Sequence, residues 1–147
     1  MNAQINPTTK KVEMMQPGQA NGQTIIEDDI LDTNKVLSAI RSDAAILGFE
    51  FTEISADDPC PAGRYKVAFV IDNQYTFGDI FRYDYHWYRQ NSDGTWSHKP
   101  GPARVRDTDD SKKIIMDPRI CDRNAGNGLN YNSFVGFYSV RPLNLMY

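Results

Sequence analysis

Residues Tyr83 to Gly101, YDYHWYRQNSDGTWSHKPG, decide the fold and hold both histidines and both tryptophans of the chain. Two aromatic runs, Tyr83-Asp84-Tyr85-His86-Trp87-Tyr88-Arg89 and Thr95-Trp96-Ser97-His98-Lys99, suit the pleated, half-buried surface of paired strands. Between them, Asn91-Ser92-Asp93-Gly94 has the residue order of a type I turn followed by a left-handed glycine, which predicts a loop over residues 92–94. That loop length fixes the register. Asn91 faces Thr95, Tyr88 faces His98, and His86 faces Pro100. Cross-strand partners share a face, so His86, Tyr88 and His98 line one side, while Tyr83, Tyr85, Trp87 and Arg89 line the other with Ser97. A shorter Asp93-Gly94 loop would slip the pairing by one residue and separate the histidines.

Two imidazoles and a phenol on one face can act as acid, base and hydrogen-bond donor, because histidine titrates nearest neutrality. Histidines on aromatic strands also serve as hydrogen-bonded packing residues. That is the favoured reading, since single polar residues specify a site weakly.

The 147 residues suit one domain of common size, and a composition of 40% hydrophobic and 24% charged residues is that of an ordinary soluble protein. No run approaches the roughly eighteen apolar residues of a membrane span, and the N-terminal MNAQINPTTKK lacks the apolar centre of a secretory signal. The expected location is therefore the cytoplasm or a particle such as a virion. Cys60 and Cys121 show no metal-ligand spacing, so no zinc site and no cofactor are expected, and two free thiols are the default in a reducing compartment. The net charge of −3 divides unevenly: residues 1–59 hold four Lys/Arg against ten Asp/Glu, and residues 60–147 hold twelve against nine. Nucleic-acid binders usually carry a much stronger basic bias.

Residues 1–30 are rich in Gln, Asn, Thr, Gly and Pro, too polar to offset their ordering entropy, and read as a flexible N-terminal arm; residues 31–147 read as a single α+β domain. Asp32-Thr33-Asn34 offers N-cap oxygens. Val36, Leu37, Ile40, Ala44 and Leu47 then recur at helical spacing before Gly48, with Lys35, Arg41 and Asp43 on the other face. Residues 49–54 read as a strand and 56–63 as a proline-punctuated turn. Arg64-Tyr65-Lys66-Val67-Ala68-Phe69-Val70-Ile71-Asp72 reads as the central strand, buried on both faces. A loop or crossing over residues 73–80 leads to the hairpin. Beyond Pro100-Gly101-Pro102, residues 103–106 and 114–116 read as short strands flanking an exposed turn, DTDDSKK. Residues 133–140 form the last strand, where Gly136 marks a bulge or a close approach.

Three chemistries compete with simple packing. Cys60 followed by two strand histidines is the order of parts in papain-like hydrolases, with His86 or His98 as base and Asp84, Asn91 or Asn130 as orienting group. Those enzymes place the thiol at a helix start, however, and Cys60 stands between Pro59 and Pro61. Arg82, Arg89, His98 and Lys99 among aromatics suit a nucleic-acid strand, although pairing with Asp79, Asp84 and Asp93 is the simpler account. Asp107, Asp109 and Asp110 lack the glycine and distal glutamate of a calcium loop.

The string His86-Trp87-Tyr88-Arg89-Gln90, then Asp93-Gly94-Thr95-Trp96-Ser97-His98-Lys99-Pro100-Gly101, with Asp117-Pro118, Arg123 and residues 131–138 downstream, resembles a pattern in small uncharacterised proteins of bacteria and their phages. The resemblance covers roughly residues 60–140 and implies a recurring domain without implying an activity. The fold expected is a mostly antiparallel sheet of five or six strands with one packed helix and an extended arm. The function expected is a non-enzymatic structural or accessory role in a larger assembly such as a virion, docking through the N-terminal arm and the aromatic and basic hairpin face, with other protein subunits as partners and no membrane. Tyr88, Arg89, Trp96, His98 and Lys99 are the expected contact residues. The alternative is the small cysteine hydrolase.

Overall fold

The apolar run after Gly63 forms the middle strand of a five-stranded antiparallel sheet in the computed structural model, which describes residues 3–5, 12–14, 17–23, 25, 32–73 and 84–141. The expected crossing beyond Asn73, with Asp79, Arg82 and Tyr83, lies outside those residues, as does the closing Pro142. Chain contacts divide the protein into two units, Met1–Gly48 and Phe49–Tyr147.

In the first unit, β1 (Ala3–Ile5) pairs antiparallel with β2 (Val12–Met14). A 3-10 turn over Gln19–Asn21 follows, and α1 spans Thr33–Leu47. The helix begins where an oxygen is available: the Asp32 carboxylate accepts from the backbone N–H of Asn34 and Lys35. It ends at left-handed Gly48, whose N–H donates to the Ala44 carbonyl. Two expectations for this helix are corrected. Asp43 is buried, because its carboxylate accepts the Gly18 N–H at 2.6 Å and the Asn21 N–H at 3.2 Å, capping the preceding turn. Leu47, expected in the apolar stripe, is exposed at the last helical position.

In the second unit the strands are β3 (Glu50–Ile54), β4 (Tyr65–Asp72), β5 (Asp84–Gln90), β6 (Trp96–His98) and β7 (Ser133–Arg141), in the order β3-β7-β4-β5-β6. All neighbours are antiparallel, so the fold is α+β with one α-helix and a five-stranded antiparallel sheet among the described residues. β4 is buried on both faces, as its composition requires. The β7 register against β4 shifts between Phe69 and Val70, so that Phe69 faces Gly136 and Val70 faces Phe134. Gly136 sits beside this bulge, where Val135 is left without a β4 partner, and a Cβ there would lie 3.2 Å from the Tyr138 hydroxyl, so the glycine serves the close approach.

One sheet face carries Phe51, Phe69, Trp87 and Tyr138; Trp87 stacks on Phe69 at 4.2 Å and Phe51 on Tyr138 at 4.5 Å. The opposite face holds a core of Ala68, Val70, Tyr88, Trp96, Phe137 and Ile115. The short strands expected at 103–106 and 114–116 are single bridges instead, Arg106 to His98 and Ile115 to Trp96. Edge strand β6 is three residues long, so it has outward backbone groups only for these two contacts. Its Trp96 N–H donates to the Ile115 carbonyl, and its His98 N–H donates to the Arg106 carbonyl, both at 2.9 Å. The sheet edge is thereby covered.

The intervening DTDDSKK turn is not wholly exposed either. Buried Asp109 accepts the N–H groups of Ser111 (3.0 Å), Lys113 (2.9 Å) and Asp122 (3.0 Å), which fastens the loop to the chain beyond it.

Candidate functional site

The hairpin folds in the expected register. Tyr88 pairs with His98, Arg89 with Ser97 and Gln90 with Trp96. Asn91 N–H donates to the Thr95 carbonyl at 2.8 Å, and Gly94 has φ 87°. Asp93 stiffens the turn by accepting from the Thr95 N–H and hydroxyl, while Asn91 bonds the Thr95 and Ser97 hydroxyls.

Because that register is kept, the two imidazoles meet. His86 Nε2 and His98 Nδ1 are 2.8 Å apart, with the rings edge to face. Arg106 Nε–H donates to His98 Nε2 at 3.0 Å, and its terminal nitrogen pairs with Asp110 at 2.7 Å. A guanidinium can only donate, so the network assigns the His98 proton to Nδ1, which donates to His86. The Thr108 carbonyl oxygen, 3.1 Å from the same His98 Nε2, suits the opposite tautomer. On the far side of His86, the Tyr131 ring stacks at 5.0 Å, and the Tyr131 hydroxyl donates to Asp84 at 2.8 Å. A row therefore runs Asp84, Tyr131, His86, His98, Arg106, Asp110.

Burial governs its titration. Loss of solvent is the main force pushing His86 down to about 3, helped by His98 and Arg106. Burial also lowers His98, opposed by the Thr108 carbonyl. It raises Asp84 against the Tyr131 hydrogen bond, and it raises the Tyr88 and Tyr131 phenols. At neutral pH both imidazoles are uncharged. The row is no continuous proton relay, because Tyr131 and His86 meet by ring stacking, and its members are spent on one another and on closing the core.

The five expected contact residues do not form one surface. Tyr88, Trp96 and His98 are buried, whereas Arg89 and Lys99 are exposed. Lys99 Nζ donates to the Gly101 carbonyl, and the Arg89 guanidinium lies 3.9 Å over the Tyr65 ring. Cys60 lies elsewhere, in a cleft of about 260 Å³ lined by Cys60, Arg64, Tyr65 and Lys66 on one side and Arg89 with residues 90–92 on the other. Neither histidine lines that cleft. Of the orienting groups suggested for a hydrolase, Asp84 bonds Tyr131, Asn91 bonds the hairpin turn, and the Asn130 backbone N–H donates to Asp72. Among the described residues no group of three or more His, Cys, Asp or Glu side chains is placed to hold a metal ion, and no helix is long and apolar enough to cross a membrane.

Sequence patterning gives Arg106 no role beyond a short strand and names Asp109 only in a rejected calcium run. Arg123 enters only through the resemblance; its Nε–H donates to the Tyr131 carbonyl at 2.6 Å, and it also bonds the Pro118 carbonyl. These residues act across chain returns, and the signal available in the sequence was their density of charge in a segment without periodicity.

No protein-family model matches the chain, and no solved structure matches it. A curated protein does. Insoluble matrix shell protein 1 of Ruditapes philippinarum is 48% identical over 59 residues, which is 40% of this chain. The match spans 36% of the relative, so the matched residues cover about a third of that protein's length. The similarity is to a structural protein by its name.

Proposed function

We propose that this protein is a non-enzymatic structural component of a larger protein assembly, of the insoluble-matrix kind for which its relative is named. The observation that carries the reading is the 48% identity over 59 residues with Insoluble matrix shell protein 1. The geometry supports it, because the polar groups of the hairpin are consumed internally. His86, His98, Arg106 and Asp110 satisfy one another, and Asp109 holds three backbone amides. A cysteine hydrolase needs its thiol within hydrogen-bond reach of an imidazole. Here Cys60 lines a cleft without either histidine. A virion is the other setting for a structural role, implied by the resemblance to small phage proteins, and the similarity to a shell matrix protein adds nothing to it.

Light scattering and sedimentation of the purified full chain over a wide concentration range test the proposal. Growth of large, slowly dissolving species with concentration is the expected result. A protein that stays monomeric up to roughly millimolar concentration, well beyond the range of specific protein association, and that hydrolyses peptide or ester substrates through Cys60, would reverse the reading.

A further inference from the structure

The two edges of the sheet are finished differently. Edge strand β6 is three residues long and is covered by the Arg106 and Ile115 bridges. Edge strand β3 is five residues long and pairs with β7 in an unbroken register, from Glu50 with Arg141 to Ile54 with Phe137. Among the described residues no bridge and no backbone hydrogen bond reaches its outer side. In an antiparallel sheet every second residue of such a strand turns its N–H and C=O outward, so this side is a row of donors and acceptors that another strand can match. Of the usual guards against that pairing β3 carries only two glutamates, and it has no proline, lysine or bulge. The charge of Glu50 is moreover taken up within the chain, by Arg64 and Arg141.

The residue order of β3 fits a second copy of itself. Two identical edges that meet antiparallel pair about a two-fold axis through one residue, because opposed residues must both turn their backbone groups towards each other or both away. An axis at Thr52 engages all five residues: Thr52 faces Thr52 of the second copy, Phe51 faces Glu53, and Glu50 faces Ile54. No carboxylates are opposed, and a threonine pair is a favourable cross-strand match. An axis at Glu50 or Glu53, or a parallel alignment in register, sets glutamate against glutamate. The Thr52 axis also brings the two copies of Phe51 onto a diagonal, within aromatic reach across the seam. Each Phe51 is half-buried and already stacked on Tyr138, so the aromatic face of one sheet continues into the other. We propose that two copies of this chain join β3 to β3 in this antiparallel register, doubling the five-stranded sheet. The contact closes on itself and gives a dimer. It goes beyond the assembly reading above and stands without it.

Sedimentation of the full chain reads the dimer, and hydrogen exchange reads the β3 amides. The parent should pass from monomer to dimer with rising concentration, and exchange over residues 50–54 should slow as it does. Thr52→Glu and Thr52→Lys each oppose like charges at the axis and should each raise the dimer dissociation constant at least about fivefold. Mixing the two variants in equal amounts opposes unlike charges and should restore a mixed dimer. Thr52 is exposed and its side chain makes no hydrogen bond among the described residues, so neither variant removes a contact of the fold. A misfolded variant could not be rescued by the other, so a folding defect cannot imitate the result. A parent that stays monomeric up to roughly millimolar concentration, a dimer indifferent to both substitutions, or a mixture no better paired than either variant alone would each overturn the proposal. The pair and the assembly reading fail separately. A parent that stops at the dimer defeats the assembly and keeps the pair, whereas large species in which residues 50–54 exchange as fast as in the monomer defeat the pair and keep the assembly.

Discussion

At the scale of single residues, the paired histidines make stability depend on pH. His86 titrates near 6.5 when unfolded and is pushed down to about 3 when folded, so the folded protein requires the neutral ring. Its contribution is complete above about pH 6.5 and is lost as pH falls towards 3, because the unfolded chain takes up the proton first. Each pH unit below 6.5 costs about 1.4 kcal/mol for one such group, and His98, shifted the same way, adds to the loss. Asp84 works in the other direction, since its raised carboxyl protonates earlier in the folded state and relieves a burial cost. Unfolding free energies from urea titrations should therefore be lower at pH 4.5 than at pH 7 by about 2–3 kcal/mol in the parent. His86→Phe, which keeps a ring against Tyr131, should be less stable at pH 7 and should flatten the acid dependence. An unchanged acid slope in that variant would remove His86 as its cause. The residues of this row were legible only in part. His86 and His98 meet because a local turn, Asn91 to Gly94, sets the register, and turn chemistry is written in neighbouring residues. Arg106 and Tyr131 reach the row through chain returns that no periodicity marks.

At the scale of elements, the same distinction between local and distant causes separates what the sequence reveals from what it conceals. α1 and β4 carry their own signals, a capping aspartate with a terminal glycine and an unbroken apolar run, and both appear where expected. Asp43 looks like a solvent-facing helix residue until the chain at Gly18 and Asn21 brings it two amides, 25 and 22 positions away. Residues 103–106 and 114–116 have strand-like composition, but β6 is too short to pair with more than one residue from each leg. Gly136 is the element-scale feature most open to a direct test. It bears no left-handed φ, so alanine there is not strained by the backbone. The obstacle is Tyr138, which is almost fully buried and stacked on Phe51, so its hydroxyl cannot retreat from a new Cβ at 3.2 Å. Gly136→Ala should lose about 1–3 kcal/mol by overpacking, read from chemical denaturation. Gly136→Ala combined with Tyr138→Phe removes the clashing oxygen and should regain part of that loss. A neutral Gly136→Ala would mean that the ring yields and that neither the contact nor the bulge requires a glycine here.

At the scale of the whole molecule, the sequence suggests an arm followed by one domain, whereas chain contacts place the helix with the N-terminal residues and the entire sheet in Phe49–Tyr147. The physical distinction lies in where the core is. Ala68, Val70, Tyr88, Trp96, Ile115 and Phe137, together with the flanking Ile54, Cys121, Tyr131 and Phe134, all fall within the second unit. So do the histidine row and the Cys60 cleft. A chain of about a hundred residues with its own apolar core is large enough to fold without staples. Residues 49–147 expressed alone should therefore keep the near-ultraviolet signature of the stacked Phe51, Phe69, Trp87 and Tyr138 cluster and melt cooperatively. A fragment that melts without a cooperative transition would show that the sheet depends on residues 1–48 for its stability.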